Sequence, residues 1–162
     1  MKLIILRGVP GCGKTTIAEV LLKKLNATYM NIDKFKFMPN SGDRYRRRAF
    51  AYKKTIEELD KIKKNSGYVI VDEVFDNKEF VENIIKFTRE NNIKYNSFYI
   101  TRRLEELVKT EETRNRHVKN DVNNFIELAK AIESVEIENE LIIKNININE
   151  SVKLIIKKLS SN

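Results

Sequence analysis

Residues 8–15 read Gly8-Val9-Pro10-Gly11-Cys12-Gly13-Lys14-Thr15, a complete G-x-x-x-x-G-K-[ST] pattern. It follows an apolar run, Leu3-Ile4-Ile5-Leu6, and precedes residues 14–25, where Ile17, Val20, Leu21, Leu22 and Leu25 fall at helical spacing. The run over 2–7 reads as a buried strand and the periodic segment as a helix, so the glycines must turn the chain within a few residues. They permit backbone angles closed to other residues and let N–H groups converge on one point. The helix adds its own N-terminal N–H groups and dipole. Such a turn suits the phosphates of a nucleoside triphosphate, with Gly8 to Thr16 as the expected nucleotide-binding segment. Lys14 is placed to reach the β- and γ-phosphates, and the Thr15 hydroxyl to ligate Mg²⁺. Cys12 fills a variable position and reads as a small residue that fits.

Downstream, strands alternate with helices. Residues 27–32 form the expected second strand, ending near Asp33, and 33–43, with Pro39, Asn40, Ser41 and Gly42, the expected loop. A long helix follows from Asp43 to Lys64, with Tyr45, Ala49, Tyr52, Ile56 and Leu59 on one face. Asn65-Ser66-Gly67 closes it, and Tyr68-Val69-Ile70-Val71-Asp72 is a buried strand. A helix over 77–91 and a strand from Tyr95 to Ile100 come next. They are followed by a charged helical stretch over 102–119 and an amphipathic helix over 121–133. A fifth strand at Leu141-Ile142-Ile143 precedes a last helix, capped by Asn149 and running through Leu159. This alternation predicts an α/β fold in three layers: a five-stranded, mostly parallel sheet flanked by helices. Ligands of such sheets bind at the carboxyl ends of the strands. Gly8, Asp33, Asp72 and the 102–119 stretch all follow strand ends, so they should gather on one rim.

The chain of 162 residues fits one domain. Its single cysteine excludes an internal disulfide framework and a cysteine-rich metal site, and suits a reducing, cytoplasmic setting. No window approaches the ~20 apolar residues of a membrane span, so no membrane partner is expected. The net charge is +8. Residues 34–64 carry eleven Lys/Arg against four Asp/Glu, which places nearly all of the excess there.

Guanine-reading switch proteins need D-x-x-G after the third strand and N-K-x-D after a later one. The chain has Asp72-Glu73-Val74-Phe75 and Asn77-Lys78-Glu79-Phe80 instead. A large ring-forming ATPase requires a further helical domain, for which the length leaves no room. The chain resembles the small P-loop kinases of the P-loop NTPase superfamily, over roughly residues 2–133. The resemblance rests on Gly8 to Thr16, Asp33 after the second strand, Val71-Asp72 after the third, and the basic stretch with Arg114 and Arg116. The run Arg7 to Thr16, followed by Ile32-Asp33-Lys34-Phe35-Lys36, is similar to polynucleotide 5′-hydroxyl kinases, zeta-toxins and chloramphenicol phosphotransferases.

That resemblance implies an ATP-dependent phosphotransferase with Mg²⁺, in which Asp33 is the base that accepts the proton of an acceptor hydroxyl. It implies a helical lid over about 102–120 whose arginines stabilise charge on the transferring group. Arg102, Arg103, Arg114 and Arg116 fall in that interval; either Arg114 and Arg116 share the catalytic task or Arg103 substitutes. Thr110 stands where polynucleotide kinases carry an arginine four residues before another. Asp72, beside the phosphate-loop strand, is expected to hold Mg²⁺ or its water, with Glu73 as a weaker candidate. His117 reads as a surface residue of the lid.

The acceptor segment is about 33–66 in kinases of this shape. Asp33, Lys36, Arg44, Arg47 and Arg48 are its expected acceptor-binding residues, with Arg46 in the same cluster and Tyr45, Phe50 and Tyr52 interleaved. Basic and aromatic groups together suit a phosphorylated or polynucleotide acceptor; helical spacing equally suits core tyrosines and solvated arginines. Lys36 stands where polynucleotide kinases place an arginine, which keeps the charge but loses the bidentate fork. Three functions follow. The first is a kinase acting on a polynucleotide 5′-hydroxyl or a nucleoside. The second is a kinase of nucleotides or small molecules. The third is an ATP-switched or ATP-hydrolysing nucleic-acid-binding module. No base-reading motif selects ATP over GTP, and the oligomeric state is not encoded in any pattern of the sequence.

Overall fold

The computed structural model describes residues 1–37, 43–114 and 119–161. The side chain of Arg44 and all of Arg116 and His117 lie outside the described residues, as do the predicted loop positions Pro39 to Gly42. The strands are β1 (Lys2–Arg7), β2 (Ala27–Asn31), β3 (Tyr68–Glu73), β4 (Lys94–Thr101) and β5 (Leu141–Lys144). The helices are α1 (Lys14–Lys24), α2 (Ile32–Lys36), α3 (Arg44–Ile62), α4 (Lys78–Glu90), α5 (Leu104–Glu112), α6 (Val122–Glu133) and α7 (Ile148–Ser160).

All pairings are parallel, in the order β2-β3-β1-β4-β5. Side chains of a strand alternate between faces, and β1 is apolar on both. Leu3 and Ile5 join one core with Ala51 and Leu59 of α3 and Phe80 and Ile84 of α4. Ile4 and Leu6 join the other with Ile17 and Leu21 of α1, Phe125 of α6 and Ile155 of α7. Burial on both faces explains why β1 and β3 are continuous apolar runs rather than alternating ones. The register places Leu6 beside Asp72, Arg7 beside Glu73, and Asn31 beside Asp72. Gly8, Asp33 and the acidic end of β3 therefore leave the sheet on the same edge.

Three local expectations change. The segment after β2 begins with a short helix rather than a loop: Asn31 accepts from the Asp33 N–H at 2.9 Å, and Ile32 is buried beneath it. The apolar face of α3 starts later than expected. Tyr45 is 84% exposed, whereas Ala51, Thr55 and Leu59 are fully buried. The stripe begins where α3 meets α4, with Tyr52 stacked on Phe80 at 3.9 Å between ring centres. The last helix is capped by Asn147, whose side chain accepts from the N–H groups of Asn149 and Glu150. Asn149 is already inside the helix.

Candidate active site

The phosphate loop joins β1 to α1 under tight steric limits. A side-chain carbon on Gly8, at φ +147°, would lie 2.3 Å from the Ile100 carbonyl of β4 and 2.9 Å from Cys12 Sγ. Only glycine allows this approach. Cys12 is fully buried and packs as a small core residue. Lys14 is buried, and its ammonium donates to the carbonyls of Gly8 at 2.8 Å and Val9 at 3.2 Å. It thus lies folded along the loop. Thr15 and Thr16 are exposed at the first turn of α1.

A cavity of about 480 Å³ opens at this turn. Pro10, Gly11, Gly13, Lys14, Thr15 and Thr16 line one side. Asp33, Lys36, Asp72 and Glu73 line it from the ends of β2 and β3. Arg102, Thr110 and Arg114 reach it from α5 and its flanks, and Asn145 from beyond β5. The rim expected from strand topology is thus one continuous wall.

The Thr15 hydroxyl donates to Asp72 Oδ2 at 2.9 Å, and the Tyr29 hydroxyl donates to the same oxygen at 2.9 Å. Burial, then the Asp72 charge, raises the Tyr29 hydroxyl well above the ordinary tyrosine value, so it remains a donor. A hydroxyl on the first turn of α1 and a carboxylate at the end of β3 are hard oxygen donors. They fit Mg²⁺, which takes few protein ligands and fills its shell with phosphate oxygens and water. Among the described residues no cluster of three or more His, Cys, Asp or Glu side chains forms a dedicated metal cage.

Asp33 is joined to the wall through Lys36. The Lys36 ammonium donates to Asp33 Oδ1 at 2.8 Å and to Glu73 Oε2 at 2.6 Å. The Asp33 side chain is 66% exposed, and that of Glu73 3%. Burial alone would lower the Lys36 ammonium. The charges of Glu73 and then Asp33 outweigh it and hold its pKa above the ordinary lysine value.

Arg102 donates to the Gly11 carbonyl at 3.3 Å and pairs with Glu106 at 3.0 Å. Arg114 pairs with Glu111 at 3.3 Å. A side-chain carbon on Gly11 would lie 3.9 Å from Arg114 Nη1, so both arginines stand over the loop. Arg103 is the residue before α5 and makes no cap bond with its side chain.

The basic cluster of α3 divides. Arg48 bonds Asp76 and the Tyr52 hydroxyl and faces a second cavity, between α3 and α4. Arg47 is exposed on α3. Neither lines the phosphate-loop cavity. Sequence reasoning missed Asn145 and Tyr29. Asn145 Nδ2 donates to the Cys12 carbonyl at 2.7 Å, and its Oδ1 accepts from Ser151 at 3.0 Å, bracing the loop from behind. Its position just past a parallel strand's carboxyl end was the available signal. Tyr29 carried none, since an inward tyrosine on β2 reads as core.

A family model described as an AAA domain matches residues 1–129, from β1 into α6. The chain belongs to this family. No curated protein matches the sequence significantly. Among solved structures it is similar to the tunicamycin resistance protein of Deinococcus radiodurans, at TM-score 0.73 and 11% identity, covering 98% of this chain and 95% of that one. It is also similar to deoxyadenosine kinase from M. mycoides, at TM-score 0.68 and 16% identity, covering 99% and 100%. A chain of the Pnkp1/Rnl/Hen1 RNA repair complex matches at TM-score 0.66 and 21% identity, over 82% of this chain and 44% of that one. The fold is that of the P-loop NTPases, in the arrangement found in small P-loop kinases. No helix among the described residues is long and apolar enough to cross a membrane.

Proposed function

We propose that this protein is an ATP-dependent phosphotransferase that moves the γ-phosphate to an acceptor hydroxyl. The observation that carries the reading is the sharing of one cavity by Asp33, Lys14, Thr15 and Asp72. Phosphoryl transfer needs little covalent chemistry from a protein; it needs in-line positioning and stabilisation of charge. The N–H groups of the loop and of the first turn of α1 hold the phosphates. Lys14 swings from the Gly8 and Val9 carbonyls onto the β- and γ-phosphates. Thr15 and Asp72 would hold Mg²⁺, which would supply neutralisation of the phosphate charge.

Asp33 orients the acceptor hydroxyl. The hydroxyl oxygen bonds the γ-phosphorus, the bond from that phosphorus to the β–γ bridging oxygen breaks, and the proton passes to the Asp33 carboxylate. ADP leaves with the bridging oxygen. Arg114 and Arg102 stand over the loop to neutralise the equatorial phosphate oxygens. Residues 1–162 act as one kinase domain, with the acceptor segment at about 33–66 and the lid at about 102–120. The acceptor is a nucleoside or a polynucleotide 5′-hydroxyl, and no motif of the sequence selects ATP over GTP. The single cysteine, Cys12, fits a cytoplasmic enzyme.

The AAA-domain match favours a second reading, in which ATP is hydrolysed or sensed by a nucleic-acid-binding module. One experiment separates the two. Labelled ATP is offered with hydroxyl-ended oligonucleotides, nucleosides and sugars to the wild type and to Asp33→Asn. Label on an acceptor with the wild type, lost in a variant that still binds ATP, supports the kinase. Equal activity in both proteins refutes it.

A further inference from the structure

Among the described residues, Asp33, Lys36 and Glu73 at the acceptor end of the cavity do not sum to a positive charge, although the segment around them is basic. Resting on the kinase reading, we infer that Glu73 is a specificity-determining residue: it neutralises Lys36, so the site takes a hydroxyl with no phosphate beside it, as on a free nucleoside or sugar.

An acceptor that carries a phosphate next to its reacting hydroxyl needs a cation to receive it. Among the described residues lining the cavity, the cations are Lys14, Lys36, Arg102 and Arg114. Lys14 lies along the loop carbonyls, while Arg102 and Arg114 stand over Gly11, where the triphosphate belongs. Lys36 is the one bonded to Asp33. It is bound to carboxylates on two sides, at 2.8 Å to Asp33 and 2.6 Å to Glu73. Glu73 cannot turn away easily. Its side chain is 3% exposed, and its second oxygen accepts from the Val74 N–H at 3.0 Å. Asp33, Lys36 and Glu73 together carry one net negative charge, and a phosphate placed among them meets repulsion. A lysine also cannot grip a phosphate bidentately while its ammonium serves two carboxylates.

The described arginine side chains of α3 do not reverse this. Arg48 is committed to Asp76 and Tyr52, and Arg47 is absent from the cavity wall. Geometry therefore gives Lys36 a different task from the arginine of polynucleotide kinases. It fixes Asp33 against the wall, where the carboxylate can meet a neutral alcohol.

The test is a pair of calorimetric titrations on protein saturated with Mg²⁺ and a non-hydrolysable ATP analogue. The ligands are thymidine and thymidine 3′-monophosphate, which differ only by a phosphate near the 5′-hydroxyl. In the wild type, the phosphate should bring no gain in affinity. In Glu73→Gln, with Lys36 relieved of one carboxylate, the 3′-monophosphate should bind about tenfold more tightly than it does to the wild type. Thymidine should stay within about twofold of its own wild-type value. Glu73→Asp, which keeps the charge, should retain wild-type discrimination.

A wild type that binds the 3′-monophosphate tenfold more tightly than thymidine overturns the inference, and does so without any variant. An unchanged affinity for the 3′-monophosphate in folded Glu73→Gln also overturns it, including the case in which it binds neither protein. Failure of the kinase reading appears separately, as no label transferred to any hydroxyl in the preceding experiment. Failure of the phosphate loop appears as no binding of the analogue, and the two ligand titrations are then read on the bare protein.

Discussion

Replacing Gly13 by alanine probes how the phosphate loop is braced. Gly13 has φ +102°, and an added methyl carbon would lie 2.4 Å from Asn145 Nδ2 and 3.2 Å from Ile148 Cδ1. The positive φ costs an alanine about 1–3 kcal/mol. Asn145 cannot move without giving up its bond to the Cys12 carbonyl, at 2.7 Å in the buried interior. Leaving that carbonyl unpaired costs about 1–3 kcal/mol more. The sum of about 2–6 kcal/mol corresponds to a fall in melting temperature of roughly 4–24 °C for a chain of this size. The assay is a double-mutant cycle by thermal melting, with Asn145→Ala as the partner. In that background the amide is already gone, so Gly13→Ala should cost only the backbone part. The coupling should be about 1–3 kcal/mol, with the double variant less destabilised than the sum of the singles. An identical cost of Gly13→Ala in both backgrounds would refute the claim that Asn145 braces the loop.

Thr15→Val removes one of the two oxygens assigned to Mg²⁺. The gain in ATP affinity on adding Mg²⁺ should shrink about tenfold, read by calorimetry with and without the ion, while binding without Mg²⁺ changes little. Tyr99, 6% exposed, has its hydroxyl pushed up from 10.0 to about 12 by burial and then by Glu133. A folded pKa above the unfolded one stabilises fully below the unfolded value and is lost as pH rises through the folded one. Tyr99→Phe should therefore flatten the loss of stability between pH 10 and 12, measured by urea midpoints.

The sheet and the phosphate loop were legible because the signals are local and redundant. Leu3 to Leu6 and Tyr68 to Val71 are apolar on both faces, which only a covered parallel sheet explains. The convergence of Asp33 and Asp72 on the loop followed from topology alone. What sequence spacing could not decide was side-chain commitment. Arg48 sits in a basic cluster, yet the fold brings Asp76, from the segment between β3 and α4, to it beside Tyr52 one turn along α3. Lys36 reads as a cation for a phosphate until β3 supplies Glu73 beside it. Tyr45 fits the period of α3 but precedes the part of the helix that meets α4, so it stays exposed. The α2 helix was hidden because a single Asn cap and one buried Ile, rather than a periodic run, hold it. Arg48, Lys36 and Tyr45 each depend on a partner distant in sequence, which no local pattern contains.

The grip of the loop on a triphosphate depends most on Lys14, the cation that lies along the loop. Calorimetric titration of Mg²⁺–ATP into the wild type and into Lys14→Ala measures it directly. Binding by the wild type, with loss of at least about 100-fold in the variant, equivalent to about 2.8 kcal/mol, is the predicted result. Equal affinity in the two proteins would contradict it.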